Sequence, residues 1–112
     1  MRDKLGDEIR LQHILDAIEE IKRYTANVSF EDFADNSMMK FAVVKQLEII
    51  GEAANHLTES TLSQPSEIDW TKIIGARNIF VHEYFSVDDI IIWNIVKNDI
   101  PELERHINKL LN

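Results

Sequence analysis

Cysteine is absent, which excludes a disulfide framework and any thiolate metal centre and fits a reducing cytoplasm. Glycine and proline are scarce, three and two in 112 residues, so breakers are few and long helices are expected. Basic residues are also in short supply. Twelve Lys and Arg face 20 Asp and Glu, for a net charge of −8. That balance argues against tight, non-specific nucleic-acid binding, which feeds on a broad basic surface. No apolar run is long: the run Ile90-Ile91-Ile92-Trp93 is far short of the roughly 20 residues a bilayer crossing needs. The stretch Met1 to Glu8 is charged and has no apolar core, unlike a secretory leader. There is no repeat of solenoid length and no low-complexity segment.

What is present is a core. Hydrophobic residues make up 45% of the chain, and the length suits one domain spanning 1–112. Leu11, Ile14, Leu15, Ile18 and Ile21 recur at helical spacing and predict a first helix from about Gly6 to Tyr24. Asp7, Glu8, Asp16, Glu19 and Glu20 are expected on its solvated face, with His13 at the edge. Ser29 can cap a short turn in which Phe30 and Phe33 plug the end of a bundle. A second helix is expected from about Ser37 to Leu57 or Thr58, with Met38 and Met39 as core filler. Glu59 to Ile68 reads as a loop. Asp69 caps a third helix, and Trp70, Ile73, Ile74, Arg77 and Val81 share one of its faces. Ser86 opens a fourth helix carrying Ile90, Ile91, Trp93, Ile95 and Val96. Pro101 is expected to kink or split it near Asn98 to Ile100. In the tail, Leu103, Ile107, Leu110 and Leu111 form the apolar side and His106 is expected at the surface. The fold class is all-α: an antiparallel, up-and-down four-helix bundle with a kinked or split last helix.

The chemistry gathers in Ala76-Arg77-Asn78-Ile79-Phe80-Val81-His82-Glu83-Tyr84-Phe85. Arginine keeps its charge and suits phosphate; histidine changes charge near neutral pH. Arg77 falls in an apolar stripe, where a guanidinium is costly unless it is paired or faces a groove. Such a local inconsistency is characteristic of functional sites. Arg77 and His82 are five apart, about 140° around an unbroken helix, whereas Asn78 and His82 share a face. Either the helix ends near Glu83, or two copies meet across a two-fold axis and line one groove; the two together suit the spacing best. Upstream, Gly51 interrupts a helix at a position where close approach of another backbone would explain it. Glu52 is either a solvated carboxylate or a partner of a polar group in the motif. Arg77 could equally pair with Glu83, Glu52 or Asp69 in a purely structural role. His13, His56, His82 and His106 show no ligand spacing, so no metal site is expected.

Three segments together carry a family resemblance: Leu47-Glu48-Ile49-Ile50-Gly51-Glu52-Ala53-Ala54, Ile68 to Asn78, and Val81-His82-Glu83-Tyr84-Phe85. They resemble the HepT-like proteins of the HEPN superfamily over nearly the whole chain. The resemblance implies a helical domain forming a C2 homodimer, with the Arg–His motifs facing a shared cleft. It implies the toxin of a toxin–antitoxin pair, a metal-independent endoribonuclease that needs no cofactor. Arg77 and His82 would be the catalytic pair, Asn78 a polar helper, and Gly51 and Glu52 supporting residues. The antitoxin would be a minimal nucleotidyltransferase (MNT) that transfers AMP to Tyr84. The alternative, suggested by the acidic balance, is a non-catalytic helical dimer that binds and regulates such a nucleotidyltransferase or its nucleotide.

Overall fold

The computed structural model describes residues 2–82 and 88–112, with side chains for 5–77 and 88–112. The described residues form seven α-helices and one π turn, with no strand among them. They are α1 (Arg2–Thr25), α2 (Phe30–Ala34), α3 (Ser37–Asn55), α4 (Glu59–Leu62), α5 (Trp70–His82), α6 (Asp89–Asn94), the π turn (Ile95–Asp99) and α7 (Ile100–Leu111). The all-α expectation holds.

Helix α3 is the central rod, packed between α1 and α5, while α7 lies against α1. The apolar stripes explain the arrangement. Leu11, Ile14, Ala17, Ile18 and Ile21 of α1 meet Val43, Val44, Leu47, Ile50 and Ala54 of α3 in one buried cluster, closed by Ile92, Val96, Ile100, Leu103 and Ile107. Each fully buried Leu or Ile contributes about 1.5–3 kcal/mol relative to an exposed one. Phe33 is wholly buried, and its ring lies 5.2 Å from that of Trp93.

The local signals sit where the sequence placed them. Ser29 accepts from the Asp32 amide at the start of α2, and Asn36 accepts from the Met39 amide at the start of α3. Asp69 accepts from the Lys72 amide at 3.1 Å, so α5 begins at Trp70. Between α1 and α2, Asn27 has φ of 60°, a left-handed conformation that Asn tolerates better than most residues.

Other expectations need correction. Helix α1 starts at Arg2, ahead of Gly6. Asp7 is only 5% exposed. Its carboxylate accepts from the Thr58 amide (3.1 Å), the Thr58 hydroxyl (2.6 Å) and the Thr61 hydroxyl (2.5 Å). It therefore ties the start of α4 to α1, where the Thr58 side chain makes no capping bond of its own. The expected loop after α3 thus contains a helical turn. Met38 is 79% exposed, so it is not core filler. In α6 the N-cap is Asp88, which accepts from the Ile90 amide; Ser86 lies outside the described residues. Ile90 and Ile91 are exposed and Ile92 is buried instead, in the cluster with Val96, Ile100, Leu103 and Ile107. Near Pro101 the chain widens into a π turn in which the Ile100 amide bonds to the Ile95 carbonyl. Proline brings no N–H to the α-ladder, and the wider turn carries the helix past that gap.

Candidate functional site

The site is built where α3 crosses α5, and Gly51 makes the crossing possible. A Cβ on Gly51 would lie 2.8 Å from the Cβ of Arg77, 3.0 Å from the Ile73 carbonyl oxygen and 3.1 Å from the Arg77 amide nitrogen. Two of those three atoms are backbone, which cannot swing away. Glycine is therefore required for close packing, as its place in mid-helix suggested.

The next residue on α3 holds the guanidinium. Glu52 Oε2 accepts from Arg77 Nη1 at 2.5 Å, and Glu52 Oε1 lies 3.1 Å from His56 Nε2, one turn on. Among the readings of Glu52, its bonding to the Arg–His motif is the one observed. The pair is partly solvated, with the Arg77 side chain 28% and the Glu52 side chain 55% exposed. In that setting it contributes little to stability; its effect is to fix where the guanidinium sits. The hydrogen bond from Arg77, followed by the contact with His56, holds the Glu52 carboxyl below its ordinary value of 4.5. The carboxylate is thus charged at neutral pH. Arg77 Nε is buried and has no hydrogen-bond partner among the described residues. The guanidinium is anchored through Nη1 on Glu52.

The backbone is helical through Asn78 and His82, so both follow Arg77 on α5. Helical geometry sets the Cα atoms of Arg77 and His82 about 140° apart around the axis. The side chains of Asn78 and His82 lie outside the described ones. Tyr84, and the expected helix end near Glu83, lie outside the described residues altogether. Of the candidate set, then, Arg77, Glu52 and Gly51 are brought together. His56 joins them; its signal in the sequence was its place four residues after Glu52, one turn along the same face.

His106, expected at the surface, is half-buried, with its ring 6.1 Å from that of Trp70. Burial, aided by the charge of Lys109, pushes its pKa below 6.5. It belongs to α7 and takes no part in this site. Among the described residues, no group of three or more His, Asp or Glu side chains could hold a metal ion, and no helix is long and apolar enough to cross a membrane.

Residues 14–110 match the family model described as “HepT-like: Ribonuclease HepT-like”. The chain belongs to this family. Among its relatives is “Probable ribonuclease HepT” of Thermococcus cleftensis, 39% identical over 89% of this chain and 91% of the relative. “Putative RNase TTE0752” of Caldanaerobacter subterraneus subsp. tengcongensis is 39% identical over 90% of both chains. “Putative RNase MJ1380” of Methanocaldococcus jannaschii is 33% identical over 87% of this chain and 89% of the relative. No solved structure matches the chain. The family match spans the α3–α5 crossing, so Gly51, Glu52 and Arg77 all fall within it.

Proposed function

We propose that this HepT-like chain is a metal-independent endoribonuclease, the toxin of a HEPN/MNT toxin–antitoxin pair, acting in the cytoplasm as a C2 homodimer of antiparallel four-helix bundles. The observation that carries this reading is Arg77. In a chain of the ribonuclease HepT-like family, a half-buried guanidinium is held at a helix crossing by Glu52, with no other acceptor among the described residues.

In this reading His82 removes the proton from a ribose 2′-hydroxyl, and the 2′-oxygen attacks the adjacent phosphorus. Arg77 stabilises the charge that builds on the phosphorane oxygens, with Asn78 as a polar helper. The P–O5′ bond breaks and the leaving oxygen takes a proton. The products are a 2′,3′-cyclic phosphate and a 5′-hydroxyl. With two motifs in one cleft, one subunit's His82 serves as base and the other's as acid. The partner nucleotidyltransferase transfers AMP from ATP to the phenol oxygen of Tyr84; the oxygen–phosphorus bond forms as the α–β phosphoanhydride breaks, and pyrophosphate and the phenol proton leave. The modification adds bulk and negative charge beside the cleft and excludes RNA.

The net charge of −8 is the observation favouring the second reading, a non-catalytic dimer that binds and regulates the nucleotidyltransferase. One experiment separates the two. Cells expressing the wild type are arrested and those expressing His82→Ala grow if the protein is a nuclease toxin; both behave alike if it is only a binding module. The modification is tested by intact mass after co-expression with the cognate nucleotidyltransferase. An added AMP is expected on the wild type, and none on Tyr84→Phe.

A further inference from the structure

A polyanion approaching a chain of net charge −8 is held only where cations gather. One such place adjoins the site. Helices α1 and α3 flank an open groove of about 550 Å³ in which Arg10 and His13 of α1 face His56 and Glu52 of α3, above an apolar floor that includes Ile9 and Ile49. Arg10 folds back along its helix so that its Nη1 would lie 2.8 Å from a Cβ on Gly6. It makes no hydrogen bond or close ion pair among the described residues, although its charge acts on Asp7. The neighbouring Asp7 carboxylate is committed to Thr58 and Thr61. His13 is exposed and has no ion pair among the described residues. Glu52, the only carboxylate among the described residues lining the groove, is bonded to Arg77 and His56. The groove therefore presents the Arg10 guanidinium and an exposed His13 ring, and is joined to Arg77 through the Glu52 side chain.

We infer that this groove is a subsite for single-stranded RNA, in which Arg10, His13 and His56 bind a backbone phosphate flanking the scissile one while Ile9 and Ile49 support its ribose or base. The inference rests on the nuclease reading. Polarity decides for RNA over an apolar partner, because the Arg10 guanidinium brings donors that no acceptor among the described residues takes up. A guanidinium beside two imidazoles suits an anion.

The test measures binding apart from cleavage. A short single-stranded 2′-O-methyl oligonucleotide lacks the 2′-hydroxyl nucleophile, so it reports affinity alone, read by fluorescence anisotropy against salt. Arg10→Gln/His13→Gln should weaken binding about tenfold or more and reduce the log–log salt slope by about 0.7 for the Arg10 charge removed. His13→Lys, which adds a fixed positive charge, should tighten binding several-fold and His13→Glu should weaken it. His13 is exposed and unpaired, so those two variants keep the test decisive if the Arg10 variant unfolds. Unchanged affinity and salt slope overturn the inference, as does a wild type that does not bind the oligonucleotide. So does a change in oligomeric state with RNA affinity intact, which would make the groove a face for a second copy. Failure of the nuclease reading looks different: the wild type would bind the probe through the groove yet leave a cleavable RNA intact in EDTA.

Discussion

The α-carbon of Gly51 and the side chain of Arg77 share one contact point, where a single added methyl would sit 2.8 Å from the arginine Cβ. Glycine in mid-helix forgoes about 1 kcal/mol relative to alanine, so Gly51→Ala would stabilise an isolated helix. Here the methyl also meets the Ile73 carbonyl and the Arg77 amide. The clash should win, with a net loss of about 1–3 kcal/mol. Urea unfolding of the two proteins measures it. A gain in stability would show that α3 and α5 can separate freely.

Glu52→Gln removes the charge that anchors Arg77 and leaves the shape nearly intact. RNA cleavage is expected to fall on the order of 10- to 100-fold, because misplacing a catalytic group by about an ångström has that effect. The thermal midpoint should barely move, since the pair is solvated. The bond from Arg77 depresses the Glu52 pKa below 4.5, so the anchor is complete at neutral pH and is lost only as pH falls through that lowered value. A cleavage assay from neutral to acid pH with both proteins checks this. Equal activity of the two at neutral pH contradicts it.

Asp7→Ala leaves the Thr58 amide and two hydroxyls without their acceptor. A loss of about 1–3 kcal/mol is expected for buried donors left unpaired. Burial alone would raise the Asp7 pKa, but the hydrogen bonds from Thr58 and Thr61, with the charge of Arg10, outweigh it and the net shift is downward from 3.8. Its contribution is therefore present above 3.8 and lost as pH falls through the lowered value. Denaturation midpoints of wild type and Asp7→Asn should converge in acid and diverge above it.

His106 gives the opposite kind of group the same sign. Its burial disfavours the imidazolium and lowers its pKa from 6.5. The folded state is favoured while the ring is neutral, so stability is full above 6.5 and declines as pH falls through the lowered value. His106→Leu should remove that part of the pH dependence, read as thermal midpoint against pH. An unchanged slope would contradict the burial.

The sequence disclosed the parts whose cause is local. Ser29 and Asp69 cap the residues that follow them, and Gly51 and Arg77 stand out because each breaks its surroundings. It concealed whatever depends on a distant partner. Asp7 looked like a surface acid because Thr58 and Thr61 are far along the chain. His106 looked exposed because Trp70 is on another helix. Ile92, not Ile90 or Ile91, joins the core because the residues that bury it, Leu103 and Ile107 among them, lie on another helix. His56 was counted only as a metal ligand with no mate, although its spacing from Glu52 was visible. The groove of Arg10 and His13 arises only when α1 meets α3.

The central claim is that Arg77 and His82 together cleave RNA without a metal. The direct test is the RNA product made by purified, unmodified protein in excess EDTA, with its 3′ ends identified. The account predicts 2′,3′-cyclic phosphate ends from the wild type. It predicts a fall of about 100-fold or more for Arg77→Lys, which keeps the charge but loses the fork, and no cleavage by His82→Ala. Cleavage that persists in His82→Ala, or that stops in EDTA and returns with magnesium, would contradict it.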